Sequence, residues 1–193
     1  MFALGNPARH PTRSARFDAV YEAHADFVWR NVRRLGVPDG AADDVVQSVF
    51  LVVFRRLDDF EGRSSYKTWI YEIVLRVVRE YRRTMKRKSP HAAGGDPVDP
   101  ATLTAPAEQR PDTLADRAQA ARIVQELLDG LDDEKREVFV FAELEGLTLH
   151  EIVEILHEPP GTIATRLRAA RAEFERAAAR RRARDQRRLR WTG

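Results

Sequence analysis

His150, Glu151, Glu154 and His157 stand in an H-E-x-x-E-x-x-H spacing. A helix would place Glu154 and His157 one turn apart, as in carboxylate-bundle metal sites. Such a site needs three or four ligands, and the surrounding module supplies no further histidine. Ile152, Val153 and Leu156 form the inward side of the same helix, which leaves the four polar residues facing water. Asp43, Asp44, Asp58, Asp59 and Glu61 are the other acidic grouping, the composition of a metal-dependent nuclease. The first two suit a helix N-terminus, where negative charge is favoured, and the others a turn at a helix end. The chain has no glycine-rich phosphate loop, no G-x-S-x-G and no cysteine, so disulfides, thiolate ligands and a cysteine nucleophile are excluded. No catalytic residue, metal or cofactor is expected, and the chain does not read as an enzyme.

Chemistry directed at a polyanion is better represented. Among 193 residues, 33 Lys and Arg against 30 Asp and Glu give a formal net charge of only +3. The charge is unevenly placed. Residues 79–88 carry +5 and residues 176–190 carry +7, which leaves −9 for the rest. Clustered positive charge on an otherwise acidic chain points to a localised polyanion contact. Near the second cluster, Ile163, Leu167, Ala170 and Phe174 share one helical side, and Thr162, Thr165, Arg168 and Ala169 lie opposite, with Arg166 on the flank. Small residues beside arginine suit a helix that enters the major groove closely. A merely solvated basic helix has the same composition.

The elements around that helix favour the groove. Thr148-Leu149-His150-Glu151 fits a capping box at the start of a short helix ending near Leu156. His157-Glu158-Pro159-Pro160-Gly161 is a tight connection, and a final helix begins near Thr162. A short helix, a turn and a longer basic helix make a helix-turn-helix. Helices near Thr113–Asp129 and Asp133–Leu144 precede it. Earlier, Phe17–Leu35, Asp43–Asp58 and a third helix carrying Trp69, Ile70, Ile73, Val74, Val77 and Tyr81 repeat a helical apolar period. Five of the ten prolines fall between Pro90 and Pro111. That stretch cannot bury enough surface to offset its ordering entropy. The expected fold is therefore all-α, two small helical domains joined by a flexible linker. The expected divisions are a flexible N-terminus 1–16, a first domain 17–88, the linker 89–112, a helix-turn-helix domain 113–175 and a basic tail 176–193. No apolar run approaches the roughly 18 residues of a membrane span, and residues 1–17 lack the apolar core of a secretory signal. A cytoplasmic location is the expectation.

On the second helix, Val45, Val46, Val49, Phe50, Val53, Phe54 and Leu57 form the core face. Leu51 points nearly the opposite way, flanked by Asp44 and Gln47. A mixed apolar and polar stripe away from the core suits protein docking, although a single exposed leucine is also ordinary.

In order, the two modules resemble the extracytoplasmic-function sigma factors of the sigma-70 family. Phe17, Tyr21 and His24, then Asp44–Phe50, Phe60-Glu61-Gly62 and Thr68-Trp69-Ile70 resemble that family's region 2. Glu137-Val138-Phe139, Glu145–Thr148, Glu151-Ile152-Val153, Gly161-Thr162-Ile163, Arg166-Leu167 and Ala170-Arg171 resemble region 4. The resemblance implies a chain that directs bacterial core RNA polymerase to promoters and starts their opening, with catalysis left to the polymerase. Asp44, Gln47, Phe50 and Leu51 would dock on the clamp helices of the largest subunit. Arg63, Ser64, Ser65, Lys67, Arg76, Arg79, Arg82 and Arg83 would meet the −10 element, where a flipped base is captured. Thr162, Thr165, Arg166, Arg168 and Arg171 would read the −35 element while the module rests on the flap of the second subunit. An anti-sigma factor is the further partner implied.

The sequence departs from the family pattern at several places. Arg76 stands where asparagine is common, and Leu131-Asp132 replaces Leu-Pro. Ala164-Thr165 replaces Lys-Ser, and His157-Glu158 replaces a glycine-containing turn. The competing reading is a stand-alone helix-turn-helix regulator whose first module dimerises or binds a ligand; it would require a palindromic site.

Overall fold

The computed structural model describes residues 12–88 and 114–191. Most of the expected N-terminus, all of the expected linker and the last two residues lie outside the described residues. All the regular structure described is helical.

Helix α1 (Arg13–Arg34) begins where the Thr12 side chain accepts from the Ala15 amide at 3.3 Å. It starts four residues before the apolar pattern does, because Arg13 and Arg16 reach the C-terminal carbonyls of the next helix, at Phe54 and Leu57. Helix α2 (Asp39–Arg56) likewise starts earlier than expected, then tightens into a 3₁₀ turn at Leu57–Asp59. Helix α3 (Tyr66–Lys88) is capped by Ser65, whose hydroxyl accepts from the Thr68 amide at 3.1 Å. Val28, Val32, Val49, Val53, Ile70, Val74 and Val78 are fully buried between these three helices. Their β-branched side chains give up little rotamer freedom on burial.

The second half comprises α4 (Leu114–Asp129), α5 (Asp133–Phe139), a π turn at Val140–Leu144, α6 (Leu149–Leu156) and α7 (Pro160–Trp191). The departure at Leu131-Asp132 has a local explanation. Asp132 caps α5 by accepting from the Lys135 amide at 2.9 Å, a task for which aspartate is among the best residues. Arg136 then closes the α4–α5 connection, donating to the carbonyls of Leu128, Asp129 and Leu131. The helix expected over Asp133–Leu144 ends in the wider π turn. At α6 the full capping box is present. His157 ends that helix in the left-handed region, φ 55°, where glycine is usual because a Cβ is crowded.

The two expected helical modules are both present, and they pack against one another. One continuous core runs through both. Tyr71 of α3 and Phe141 of the π turn, both fully buried, meet edge to face at 5.0 Å. Gly36 lies against the Arg136 guanidinium of the second half. A Cβ there would sit 1.7 Å from Arg136 Nη1, and its φ of +93° already favours glycine.

Candidate nucleic-acid interface

Two carboxylates of the second half organise the cations of the first. Arg79 Nη2 donates to Glu137 Oε2 at 2.5 Å and Arg82 Nη1 to Glu137 Oε1 at 3.1 Å. Arg82 also approaches Asp133 at 3.5 Å, beside Lys86 at 3.3 Å. Eight residues on, Glu145 Oε1 accepts from Arg34 at 2.6 Å and from Asn31 at 3.2 Å, and its Oε2 faces Lys67 at 3.3 Å. Asn31 in turn accepts from the Tyr71 hydroxyl at 2.9 Å. Burial, and then the Glu145 charge, push the Tyr71 phenol far up, so it stays a neutral donor. Hydrogen bonding to Glu137 holds the Arg79 guanidinium more firmly charged.

The residues expected at the −10 element therefore divide. Arg79 and Arg82 belong to the contact between modules, and Arg82 is buried. Lys67 is tied to Glu145 and lies 5.2 Å over the Phe27 ring. Arg63 pairs with Glu61 and Arg83 with Glu80, both at the surface. Ser64 is half-buried, and Ser65 serves as the cap of α3. Arg76 is exposed and has no ion pair among the described residues, Glu72 included.

On α2, Asp44, Gln47 and Leu51 are exposed in one stripe, Leu51 at 50%. Phe50 is buried beneath Tyr21, ring to ring at 4.6 Å. Its contribution to that surface is packing from below. Phe54 (40% exposed) and Tyr21 (46%) widen the apolar patch, with Phe17 T-shaped against Phe54 at 5.1 Å.

In the second half, Thr165 and Arg168 are exposed and Thr162 is half-buried. The Thr165 hydroxyl donates back to the Gly161 carbonyl at 2.9 Å. Arg166 is held between Glu134 at 2.9 Å and Glu158 at 3.3 Å, which fixes α7 against the start of α5 and the turn. Arg171 binds Glu143 at 2.6 Å. Arg168 makes no such pair among the described residues. His150 and Glu154 meet at 3.4 Å on the solvent side of α6, while His157 forms its C-cap. The described residues contain no group of three or more ligand side chains arranged around a metal position.

Glu137 and Glu145 enter the sequence reading only as parts of the region 4 resemblance, with no contact assigned to either. The available signal was an acid set directly against Val138, Phe139, Val140 and Phe141, where a polar residue needs a partner. Nothing local indicates that the partner comes from α3.

Residues 20–88 match the Sigma-70 region 2 model and residues 121–174 match Sigma-70, region 4. The chain is 30% identical over 143 residues to the ECF RNA polymerase sigma-E factor of Escherichia coli (strain K12), covering 72% of this chain and 74% of that protein. It is 26% identical over 158 residues to the RNA polymerase sigma factor NccH of Alcaligenes xylosoxydans xylosoxydans, covering 82% and 84%. Its fold is similar to the sigma factor RpoE from Bartonella quintana, solved with the anti-sigma factor NepR (TM-score 0.60, 20% identity, 82% and 96% covered). It is also similar to CnrH, solved with the cytosolic domain of CnrY (TM-score 0.59, 24% identity, 84% and 87% covered). A helix-turn-helix behind a region 2 bundle defines an RNA polymerase sigma factor, and not a stand-alone regulator. The chain belongs to the sigma-70 family, in its extracytoplasmic-function group. Among the described residues no helix is long and apolar enough to cross a membrane.

Proposed function

We propose that this sigma factor docks on the clamp helices of the polymerase largest subunit through the Asp44, Gln47 and Leu51 stripe, with Phe50 packed beneath it. The second half rests on the flap of the second subunit and reads the −35 element with Thr162, Thr165 and Arg168. Arg166 and Arg171 hold that helix in place and lie beside the phosphates. At the −10 element, Arg63, Ser64, Ser65, Lys67 and Arg76 lie near a base extruded from the stack. Its capture offsets the few kcal/mol, roughly, that unstacking costs. Arg79, Arg82 and Arg83 meet the phosphate backbone. Glu137 engages Arg79 and Arg82 in the closed arrangement, so their turn to DNA requires the two modules to part. The chain acts in the cytoplasm as a specificity subunit and carries no catalytic group of its own. An anti-sigma factor restrains it, by analogy with the complexes formed by the two structural relatives. We take 17–88 and 113–175 as its two domains, around the matched segments 20–88 and 121–174.

The observation that carries this reading is the capped α6, the tight turn and the exposed Thr165–Arg168 edge of α7, standing behind a region 2 bundle in one chain. The test is reconstitution with bacterial core polymerase, followed by sequencing of transcript starts. Starts that share −10 and −35 elements support it. Starts no different from those of core polymerase alone sink it. Arg76→Asn refines the result, because arginine offers a fork of donors where asparagine can both donate and accept. Over a randomised −10 library the variant should prefer a different base at unchanged polymerase affinity.

A further inference from the structure

The region 4 match ends at residue 174, yet α7 continues without interruption to Trp191. The one helix therefore carries both the residues assigned to the −35 element and the arginine-rich stretch. Taking about 100° per residue, Ile163, Leu167, Ala170 and Phe174 lie on the core side. Arg181 shares that side, where it pairs with Glu126 of α4 and with Asp185. Arg176, Arg180, Arg184 and Arg187 lie elsewhere, within about 40° of the direction of Thr162. They extend the edge of α7 that carries the half-buried Thr162 and Ala169 and the exposed Thr165.

These four arginines are exposed. Arg176, Arg180 and Arg184 make no ion pair or hydrogen bond among the described residues, and Arg187 only returns a bond to the Ala183 carbonyl. By contrast, Arg13, Arg16, Arg33, Arg34, Arg79, Arg82, Arg136, Arg166 and Arg171 are all drawn onto acids of the same chain. Like charges one turn apart repel along a helix, so an anion brought to the ridge from outside would stabilise it. Ala177, Ala178, Ala179 and Ala183 between them leave little bulk around the cations.

We infer that the Arg176, Arg180 and Arg184 ridge of α7 is a third DNA-binding site, which grips the phosphate backbone flanking the −35 element without reading its sequence. The inference rests on the assignment of Thr162–Arg168 to the −35 element. Duplex DNA is favoured over other polyanions because the helix is one rigid rod. The major groove is about 12 Å wide, and Arg176 lies about 16 Å along the axis from Thr165. A helix whose first turns occupy the groove has cleared its rim there and passes over the neighbouring strand.

The experiment uses the full chain with core polymerase and a promoter duplex. Each phosphate contact contributes about 0.9 to the salt exponent of binding. If three are lost, a triple R176A/R180A/R184A variant should lose about 40-fold less affinity than wild type between roughly 50 and 200 mM salt. The lysine triple variant should restore the wild-type slope, since it keeps the charge. In parallel, single uncharged methylphosphonates placed across the −35 flanks should weaken wild type at two or three positions, and the alanine variant at none of these. Identical slopes and profiles for wild type and the alanine variant would overturn the inference, leaving the ridge to RNA, an acidic protein or solvent. A variant that loses the slope while Arg168→Ala leaves −35 preference intact would retain the phosphate site but refute the −35 assignment.

Discussion

Arg82 of α3 and Glu137 of α5 meet at 3.1 Å with only 10% and 4% of their side chains exposed. The pair joins the two halves of the chain beneath Arg79, which donates to both Glu137 oxygens. Removing one partner of a buried pair leaves an uncompensated charge and costs about 3–5 kcal/mol. Glu137→Ala should therefore cost the closed arrangement that amount and let the halves separate. Small-angle scattering should report a larger radius of gyration with helix content retained. An unchanged radius would mean that the Tyr71–Phe141 contact and the Glu145 network suffice to hold the halves together.

Leu51 is half exposed over a core that it does not enter. Leu51→Arg should leave stability within about 0.5 kcal/mol of wild type, as surface changes usually do. Affinity for core polymerase should fall by about tenfold or more, because the new charge would be desolvated at the docked surface. Melting temperature and polymerase affinity measured on one preparation separate docking from folding.

Arg168 and Arg166 stand two residues apart and should fail differently. Arg168 is free to reach a base edge, so Arg168→Ala should relax −35 selectivity by about 1–3 kcal/mol if it contacts guanine with both donors. Arg166→Ala removes the ties to Glu134 and Glu158, so it should lower the melting temperature and weaken all sequences alike. Binding to matched and scrambled −35 duplexes, alongside thermal melts, distinguishes the two.

The capping box of α6 makes its start sensitive to acid. Hydrogen bonds from the Thr148 amide and hydroxyl to Glu151, both 2.8 Å, hold its carboxyl below the usual glutamate value. The folded value is the depressed one, so this stabilisation is complete above the ordinary glutamate range. It is lost as pH falls through the depressed value. Glu151→Gln should therefore lower stability at pH 7 by about 0.3–1 kcal/mol, and the difference should close as pH falls below the ordinary glutamate range. Paired melts across that range provide the check.

His157 at the C-cap and Phe50 on α2 show how far local signals reach. The capping box, the turn and the ends of α6 follow from a few adjacent residues, so they were legible. The left-handed His157 was visible only as a missing glycine, because its conformation is imposed by the helices on either side. Phe50 sits on the apolar period and also under Tyr21, and no spacing rule separates a surface residue from its support.

What the sequence determined by itself was the helical period, the caps, the order of the two modules and the place of the cations. All of these depend on neighbours within about two turns along the chain. Tertiary structure alone decided which cations remain free. Glu137 reaches back 58 residues to Arg79 and Glu145 reaches back 111 to Arg34. Charge pairing over such separations depends on which faces the cores bring together. Arg82 and Arg168 look alike in the sequence, yet one is buried against a carboxylate and the other stands in solvent at the edge of α7.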